Sequence, residues 1–514
     1  MIDEGQLSTV EFPQGSAISA VNVVFMPTGG VRKRKGLEVL NDTPLKNAPI
    51  SKIWQWANTS NSEYTFVFTS LSGAASATIN TMITTGATSF NSILVTSGTW
   101  DPTMAADGSD EPISITSYAG SAVFTFAGSN MGPVCWDSQI ANTVTLAAAI
   151  SGAKCVLGWG NYLFLGNVLE GSTRKGSRVQ WCYPASPTNW PAAYYIDLDP
   201  DDGDEITALV GFQNLIVVFK KYKLFVLHYV GGRYQFQEER ISTSVGCVGA
   251  NAWMDSGDSL YFLGPYTAYV WDGKSVPKSI SDKVQSSFNN MNIANWMTCE
   301  VDADDENWEI LFSVADGASN YKNCIYAYDT RFQSWTLLLM ENSALGGISY
   351  GKNEAYQDNI LAYSTYDTRI ADALGAKDPL ITIGTYAGKV AKYGTSDDDY
   401  GVAVDGYWRS RWLDFDKPDI NKRILRVTAL VQKEGDYSLN VSLYTDWNEA
   451  TPSSTQTISL SGGITTGLIE RRVDFHNTYA RSLQVKIGTS GSSQPFILYK
   501  VFIDYLVKGR KMHS

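Results

Sequence analysis

DEITALVGFQNLIVVFKKYKLFVLHYVGG (Asp204–Gly232) is followed, after a polar connection, by CVGANAWMDSGDSLYFLGPYTAYVWDGKSVPKSISDK (Cys247–Lys283), and this stretch settles the fold. One phrase occurs in it twice: a turn, a short run of β-forming residues, a break, a second run. The first copy is Leu215–Phe219, the basic break Lys220-Lys221-Tyr222-Lys223, and Leu224–Leu227. The second is Leu260–Leu263, Gly264-Pro265-Tyr266, and Thr267–Trp271. Runs this short, rich in β-branched and aromatic residues and bounded by Gly, Pro, Asn and Asp, form hairpin strands. A hairpin buried on both faces needs copies of itself to cover it.

Further copies are present. Strand-centre residues of one type fall at Phe66, Phe124, Phe164, Val217, Phe262, Leu311 and Leu361, about 40 to 58 residues apart, close to the ~40–50 of propeller blades. A second echo follows some of them, at Cys135-Trp136-Asp137-Ser138, Val270-Trp271-Asp272-Gly273 and Ala327-Tyr328-Asp329-Thr330. An aromatic at a strand end followed by Asp suits a turn, because the carboxylate bonds backbone N–H groups there. The expected fold is all-β: a β-propeller-like array of antiparallel blades over 51–400, then a C-terminal β-sandwich over 401–514. Unrelated hairpins in a sandwich would leave similar local signals, and the irregular spacing keeps that alternative open.

A chain of 514 residues carries two or three domains by size alone. With 28 Tyr, 20 Phe, 15 Trp and 44 Gly it has a β protein's composition, and only Ile280–Ile293 and Arg369–Gly375 pattern as short helical turns. The net charge of −12 argues against gripping a nucleic-acid backbone or an anionic membrane, both of which call for clustered cations. Six cysteines without a CxxC pair read as small buried hydrophobes, and three histidines leave little for zinc. MIDEGQLSTV lacks the profile of a signal peptide, and no apolar run approaches ~18 residues. The expectation is a protein made in a reducing cytoplasm, without membrane insertion.

Residues 1–50 read as an arm with leading strands. The run Arg32, Lys33, Arg34, Lys35 is either solvated or docks on an acidic partner. Ser70–Ser92 reads as a hairpin insertion or loop, and Asp397-Asp398-Asp399 as a linker. Beyond it longer alternating strands are expected at Arg409–Phe415, Arg423–Gln432, Ser438–Tyr444, Leu468–Asp474, Ser482–Ile487 and Phe496–Val507.

Asp197, Asp199, Asp201, Asp202, Asp204 and Glu205 have the look of a calcium loop, but its required Gly and Glu would be Asp202 and Ala208. Asp302, Asp304, Asp305 and Glu306 read as a similar solvated turn, an irregular cation site being the alternative. No G-x-S-x-G elbow, H-E-x-x-H, Walker A or G-x-G-x-x-G occurs, and His228 sits in an apolar strand as a structural histidine. A two-carboxylate glycosidase is conceivable, yet the repeated S-x-D-x-G-x-T-W turns of sialidase-type propellers are missing. Trp181, Trp190, Trp253 and Trp271 read as core or interface anchors before they read as sugar platforms. No catalysis and no cofactor is expected.

Six phrases in order carry a family likeness: GVRKRKGLEVL (30–40), SRVQWCYPASPTNW (177–190), GDEITALVGFQNLIVVFKKYKLFVL (203–227), SVGCVGANA (244–252), LYFLGPYTAYVWDGKSVPKSISDKV (260–284) and YWRSRWLDFDKPDINKRI (407–424). Together they resemble the tail hub or nozzle (phage stabilisation protein) of short-tailed double-stranded DNA bacteriophages, over most of 20–510. The stretches near 70–110 and 365–380 diverge. The resemblance implies a structural component of the virion tail, made in the host cytoplasm. It implies a homo-oligomer, a hexamer, below the portal and head-to-tail adaptor, enclosing the DNA channel and holding a plug or needle and the tail fibres or spikes. Double-stranded DNA would pass transiently without specific binding. The candidate channel-lining acids are Asp197, Asp199, Asp201, Asp202, Asp204, Glu205, Asp302, Asp304, Asp305 and Glu306; the candidate adaptor contact is Arg32–Lys35. A receptor- or glycan-binding propeller without catalysis is the alternative.

Overall fold

The computed structural model describes residues 17–39, 50–58, 63–69, 78–83, 91–94, 113–126, 132–137, 144–146, 150–232, 235–304, 307–319, 322–339, 345–351, 380–385, 388–462 and 467–507. The protein is all-β, a propeller joined to a C-terminal sandwich. Six blades are consecutive four-stranded antiparallel meanders, over 50–94, 113–145, 152–197, 206–242, 253–279 and 300–339. Among the described residues the seventh has three strands in sequence, Leu345–Gly351, Leu380–Thr385 and Val390–Ser396. Its outermost strand is Gly36–Val39, from the other end of the chain. The innermost strands of blades seven and one lie side by side, so the ring closes.

Each blade is apolar on both faces because each is sandwiched by two others, which is why its strands read as continuous hydrophobic runs. Phe66, Phe124, Phe164, Val217, Phe262 and Leu311 all fall in the second strand of a blade, and none is more than 2% exposed. They interlock across blades: Phe66 meets Phe124 at 5.3 Å and Trp136 at 5.5 Å, and Phe219 meets Phe262 at 4.8 Å. Leu361 lies outside the described residues. The third-strand echo also holds: Asp272 accepts the N–H groups of Lys274 (3.0 Å) and Ser275 (2.8 Å), and Asp329 those of Arg331 (2.9 Å) and Phe332 (3.1 Å). Asp272→Ala, which orphans exposed donors only, is expected to lower the midpoint of chemical denaturation slightly, because water takes up the freed N–H groups.

The sandwich is assembled from both ends of the chain. One sheet orders Ala17–Val21, Gly406–Ser410, Leu483–Thr489, Ser438–Thr445 and Ser454–Ser459; the other orders Val23–Phe25, Val31–Lys33, Ile497–Val507, Lys422–Lys433 and Gly467–Ala480. Ala17–Val21 also pairs parallel with the outermost strand of blade six, Val21 opposite Leu337, fusing that blade to the sandwich edge to edge. Residues 17–39 are thus not a leading arm; they are four strands shared among blade six, blade seven and both sandwich sheets.

Other expectations need correction. Thr78–Ile83 and Asn91–Leu94 do pair as an antiparallel hairpin, but as the third and fourth strands of blade one, where a hairpin insertion or loop over Ser70–Ser92 was expected. The first long sandwich strand is Gly406–Ser410, and the polar edge strand Ser454–Ser459 (STQTIS) carries too little hydrophobic alternation to be legible. Short helical turns do form at Asp282–Val284, Gln285–Asn289 and Ile293–Thr298; 369–375 is outside the described residues.

Candidate functional site

Two charge-bearing regions stand out, and in both a cationic run meets a separate acidic run, distant in sequence in the first and one hairpin away in the second. The first is the junction of propeller and sandwich, where Arg32–Lys35 meets Asp397–Asp399. Arg34 is 1% exposed and Asp399 0%. The Arg34 guanidinium grips Asp399 through Nη1–Oδ1 (2.9 Å) and Nη2–Oδ2 (2.5 Å), and donates to Asn22 Oδ1 (2.9 Å), Lys35 O (2.9 Å) and Leu339 O (2.8 Å). All three of its nitrogens are thereby satisfied, the condition for keeping such a charge inside. Asn22, at φ 52°, accepts the N–H of Leu339 and donates to Asp405 O, tying blade six to the sandwich.

Lys35 pairs with Asp397 at 2.7 Å. Lys33 is 1% exposed, and burial pushes its ammonium below the usual lysine range. Asp398 accepts from Ser492 Oγ (2.7 Å) and from Ser493 N (2.7 Å) and Oγ (3.0 Å); against the upward push of burial, these bonds hold its carboxyl below the usual range. Gly36 allows the close approach: a Cβ there would lie 2.2 Å from Asp398 O. Asp397–Asp399 is therefore not a linker. Nor is Arg32–Lys35 an exterior docking run: Lys33 and Arg34 are interior, and Lys35 is engaged within the chain.

The second region is the connection from blade three to blade four. Lys220, in the basic break of blade four, is 0% exposed, and its Nζ donates to Asp202 Oδ1 (2.9 Å) and Oδ2 (2.8 Å), Ser177 Oγ (3.0 Å) and Asp199 O (3.0 Å). Lys223 pairs with Asp199 and Asp202, both at 2.8 Å, and Arg240 with Asp199 at 2.9 Å. Arg178 forks onto Asp197 at 2.8 and 2.7 Å, Lys154 meets Glu205 at 3.1 Å, and Asp204 accepts the N–H groups of Lys221 and Tyr222. Asp201 is exposed. Burial pushes the Asp202 carboxyl up, but hydrogen bonds from Lys220 and Lys223 bring it down to about 2. A depressed carboxyl gives stability that is present above its unfolded value and lost as pH falls through the folded one. Solvent reaches Asp202 and screens its pairs, so acid titration of stability between pH 4 and pH 2 is expected to lose about 1 kcal/mol through this residue, a loss absent in Asp202→Asn.

Of the other acids, Asp302 and Asp304 lie on the innermost strand of blade six, Glu300–Asp304, while Asp305 and Glu306 are outside the described residues. The connection 198–205 precedes the innermost strand of blade four, Ile206–Phe212, whereas Asp304 closes the innermost strand of blade six. Tertiary structure thus puts Asp304 and the acids of 198–205 at opposite ends of the innermost strands and does not join them into one wall.

The propeller axis is spanned by polar contacts. Asn251 Nδ2, leading into blade five, donates to Ile113 O of blade two at 3.1 Å. Lys52 of blade one pairs with Glu300 of blade six at 3.3 Å, and Lys322 meets the same carboxylate at 3.2 Å. The Asn251 and Lys52 contacts skip intervening blades and reach across the ring; sequence reading missed them, because their partners are 138 or more residues apart and lack a local pattern.

No nucleophile is set up among the singled-out residues. Burial pushes the Cys247 and Cys299 thiols up to about 12, the opposite of a reactive cysteine. His228 pairs with Glu239 at 2.8 Å at the end of its strand. Among the described residues, no three His, Cys, Asp or Glu side chains converge as metal ligands.

Neither a family model nor a curated protein matches this chain. Solved structures are similar to it at low identity. The WD40 domain of Neurospora crassa Pan2 has 7% identity and a TM-score of 0.42, covering 72% of this chain and 97% of that domain. PorZ, a surface component of the type-IX secretion system of Porphyromonas gingivalis, has 12% identity and a TM-score of 0.35; the match covers 72% of this chain and 42% of PorZ.

Proposed function

We propose that this chain is a structural subunit of the tail nozzle of a short-tailed double-stranded DNA bacteriophage. In this reading several copies form a ring that extends the DNA channel below portal and adaptor and holds the plug or needle and the fibres. The observation that carries it is the use made of the charged groups. The runs that would serve a nucleic-acid or adaptor surface are consumed as internal ties, which is the economy of a scaffold. The propeller axis, spanned at 3.1 and 3.3 Å, is far narrower than a duplex whose major groove alone is about 12 Å wide. Genome passage would therefore require a channel between copies. Six copies carry −72 formal charges, six times −12 each. An acidic lining within about 8–10 Å of DNA repels it and lets it slide.

Electron microscopy of purified protein, alone and with its adaptor, tests the reading: sixfold rings with a central hole are expected. A fluorescence titration with duplex DNA at 150 mM salt, about physiological, should show no appreciable binding; tight, salt-sensitive binding sinks the idea. A second reading, a glycan- or receptor-binding propeller, is favoured by exposed Tyr183 (49%), Tyr195 (40%) and Tyr229 (55%) on one side of blades three and four, with Tyr183 stacked on Tyr194 at 6.3 Å. Dispersed monomers with glycan-array affinity would select it.

A further inference from the structure

The surface bears an aromatic knob and an aromatic socket in different places. The knob is Trp447, in the turn between Ser438–Thr445 and Ser454–Ser459, with φ 69° and 47% of its surface exposed. Bulky residues avoid positive φ, so one held there has its side chain set by its surroundings and marks a candidate functional position. Here the Trp412 ring lies 5.0 Å away, and the neighbouring Asp446 accepts the N–H groups of Arg481 and Ser482. Beside it Glu449 accepts Trp412 Nε1 at 3.0 Å and makes no ion pair among the described residues.

The socket is an open cleft of about 420 Å³ where blade six meets the sandwich, lined by Phe25, Phe332, Trp408, Leu498 and Val501. Phe332 is 40% exposed. Lys500 is the charged residue of its lining and has no ion pair among the described residues.

Resting on the ring reading above, we propose that Trp447 of one copy seats in this cleft of the next, with Glu449 against Lys500. Shape and charge both fit: tryptophan is enriched among the residues that anchor interfaces in well-packed pockets, and the carboxylate and ammonium, neither in an ion pair among the described residues, complement each other. Knob and socket are different surfaces, so the contact is head-to-tail, the kind that closes into a ring when the rotation allows.

Sedimentation velocity on the full chain, with near-ultraviolet circular dichroism reporting the fold, tests this. Trp447→Ala and Lys500→Glu are each expected to raise the concentration needed for assembly by about tenfold or more. Combining Lys500→Glu with Glu449→Lys should restore assembly to within about threefold of wild type. That rescue keeps the test decisive even where a single variant folds poorly. A wild-type ring unaffected by Trp447→Ala and Lys500→Glu, or a charge swap without rescue, overturns the contact and leaves the ring reading standing. A wild-type chain monomeric at every concentration, with and without adaptor, overturns both.

Discussion

Replacing Arg34 with alanine is expected to lower the unfolding free energy by about 3–5 kcal/mol, because Asp399 would be left charged, buried and unpaired. The two side chains are 0% exposed, and Arg34 also serves Asn22, Lys35 and Leu339. Its loss therefore opens the joint where residues 17–39 hold blade six, blade seven and the sandwich together. Arg34→Lys should recover only part of the loss, since an ammonium cannot reproduce the two-pronged grip. The double replacement Arg34→Met with Asp399→Leu should be milder than Arg34→Met alone, because it removes the stranded charge. Urea denaturation of wild type, Arg34→Met, Asp399→Leu and the double variant provides the cycle; an Arg34→Met loss under about 1 kcal/mol would show that the pair behaves like a surface bridge. Charge reversal at position 34 should unfold the protomer before it affects docking.

Glu309→Gln is expected to stabilise the protein at neutral and alkaline pH. Glu309 is 1% exposed, neither carboxyl oxygen has a hydrogen-bond partner, and it sits opposite Asp304 on one neighbouring strand and Asp329 on the other. Burial, then the charges of Asp304 and Asp329, push its carboxyl well above its ordinary 4.5; Arg331 and Arg32 offset only part of this. The sign follows. With the folded value above the unfolded one, the native state binds more protons between the two, so stability falls as pH rises from about 4.5 toward the folded value. The slope for one such proton is at most about 1.4 kcal/mol per pH unit. Denaturation at pH 5, 7 and 8 should show this fall in wild type and a shallower one in Glu309→Gln, with the variant more stable at pH 8. Parallel curves would mean that Glu309 is already ionised and matched by Arg32 or Arg331.

Much of the propeller was legible because a blade's instructions are local. YTFVF around Phe66 and YLFLG around Phe164 are runs buried on both faces, and such a run is written in consecutive residues. Asp272 and Asp329 were legible as turn formers for a related reason: their partners are two or three residues away. The ring's closure was not legible. GLEV at 36–39 is too short and mixed to announce a strand; it is one because Val390–Ser396 presents an open edge to it. STQTIS at 454–459 likewise borrows its strand character from Ser438–Thr445.

The candidate site shows the same division more sharply. Arg32–Lys35 and Asp397–Asp399 are both conspicuous in sequence, and each taken alone belongs in water, since four neighbouring cations or three neighbouring anions repel. The same holds for Lys220–Lys223 and the acids at 197–205. From its residues alone this chain determined that it would build antiparallel β blades in series, with a different β texture after residue 400. Tertiary structure alone decided which charges are spent inside. A desolvated charge is tolerable only opposite its counterion, and whether Arg34 finds Asp399 depends on a closure that brings together residues 365 positions apart.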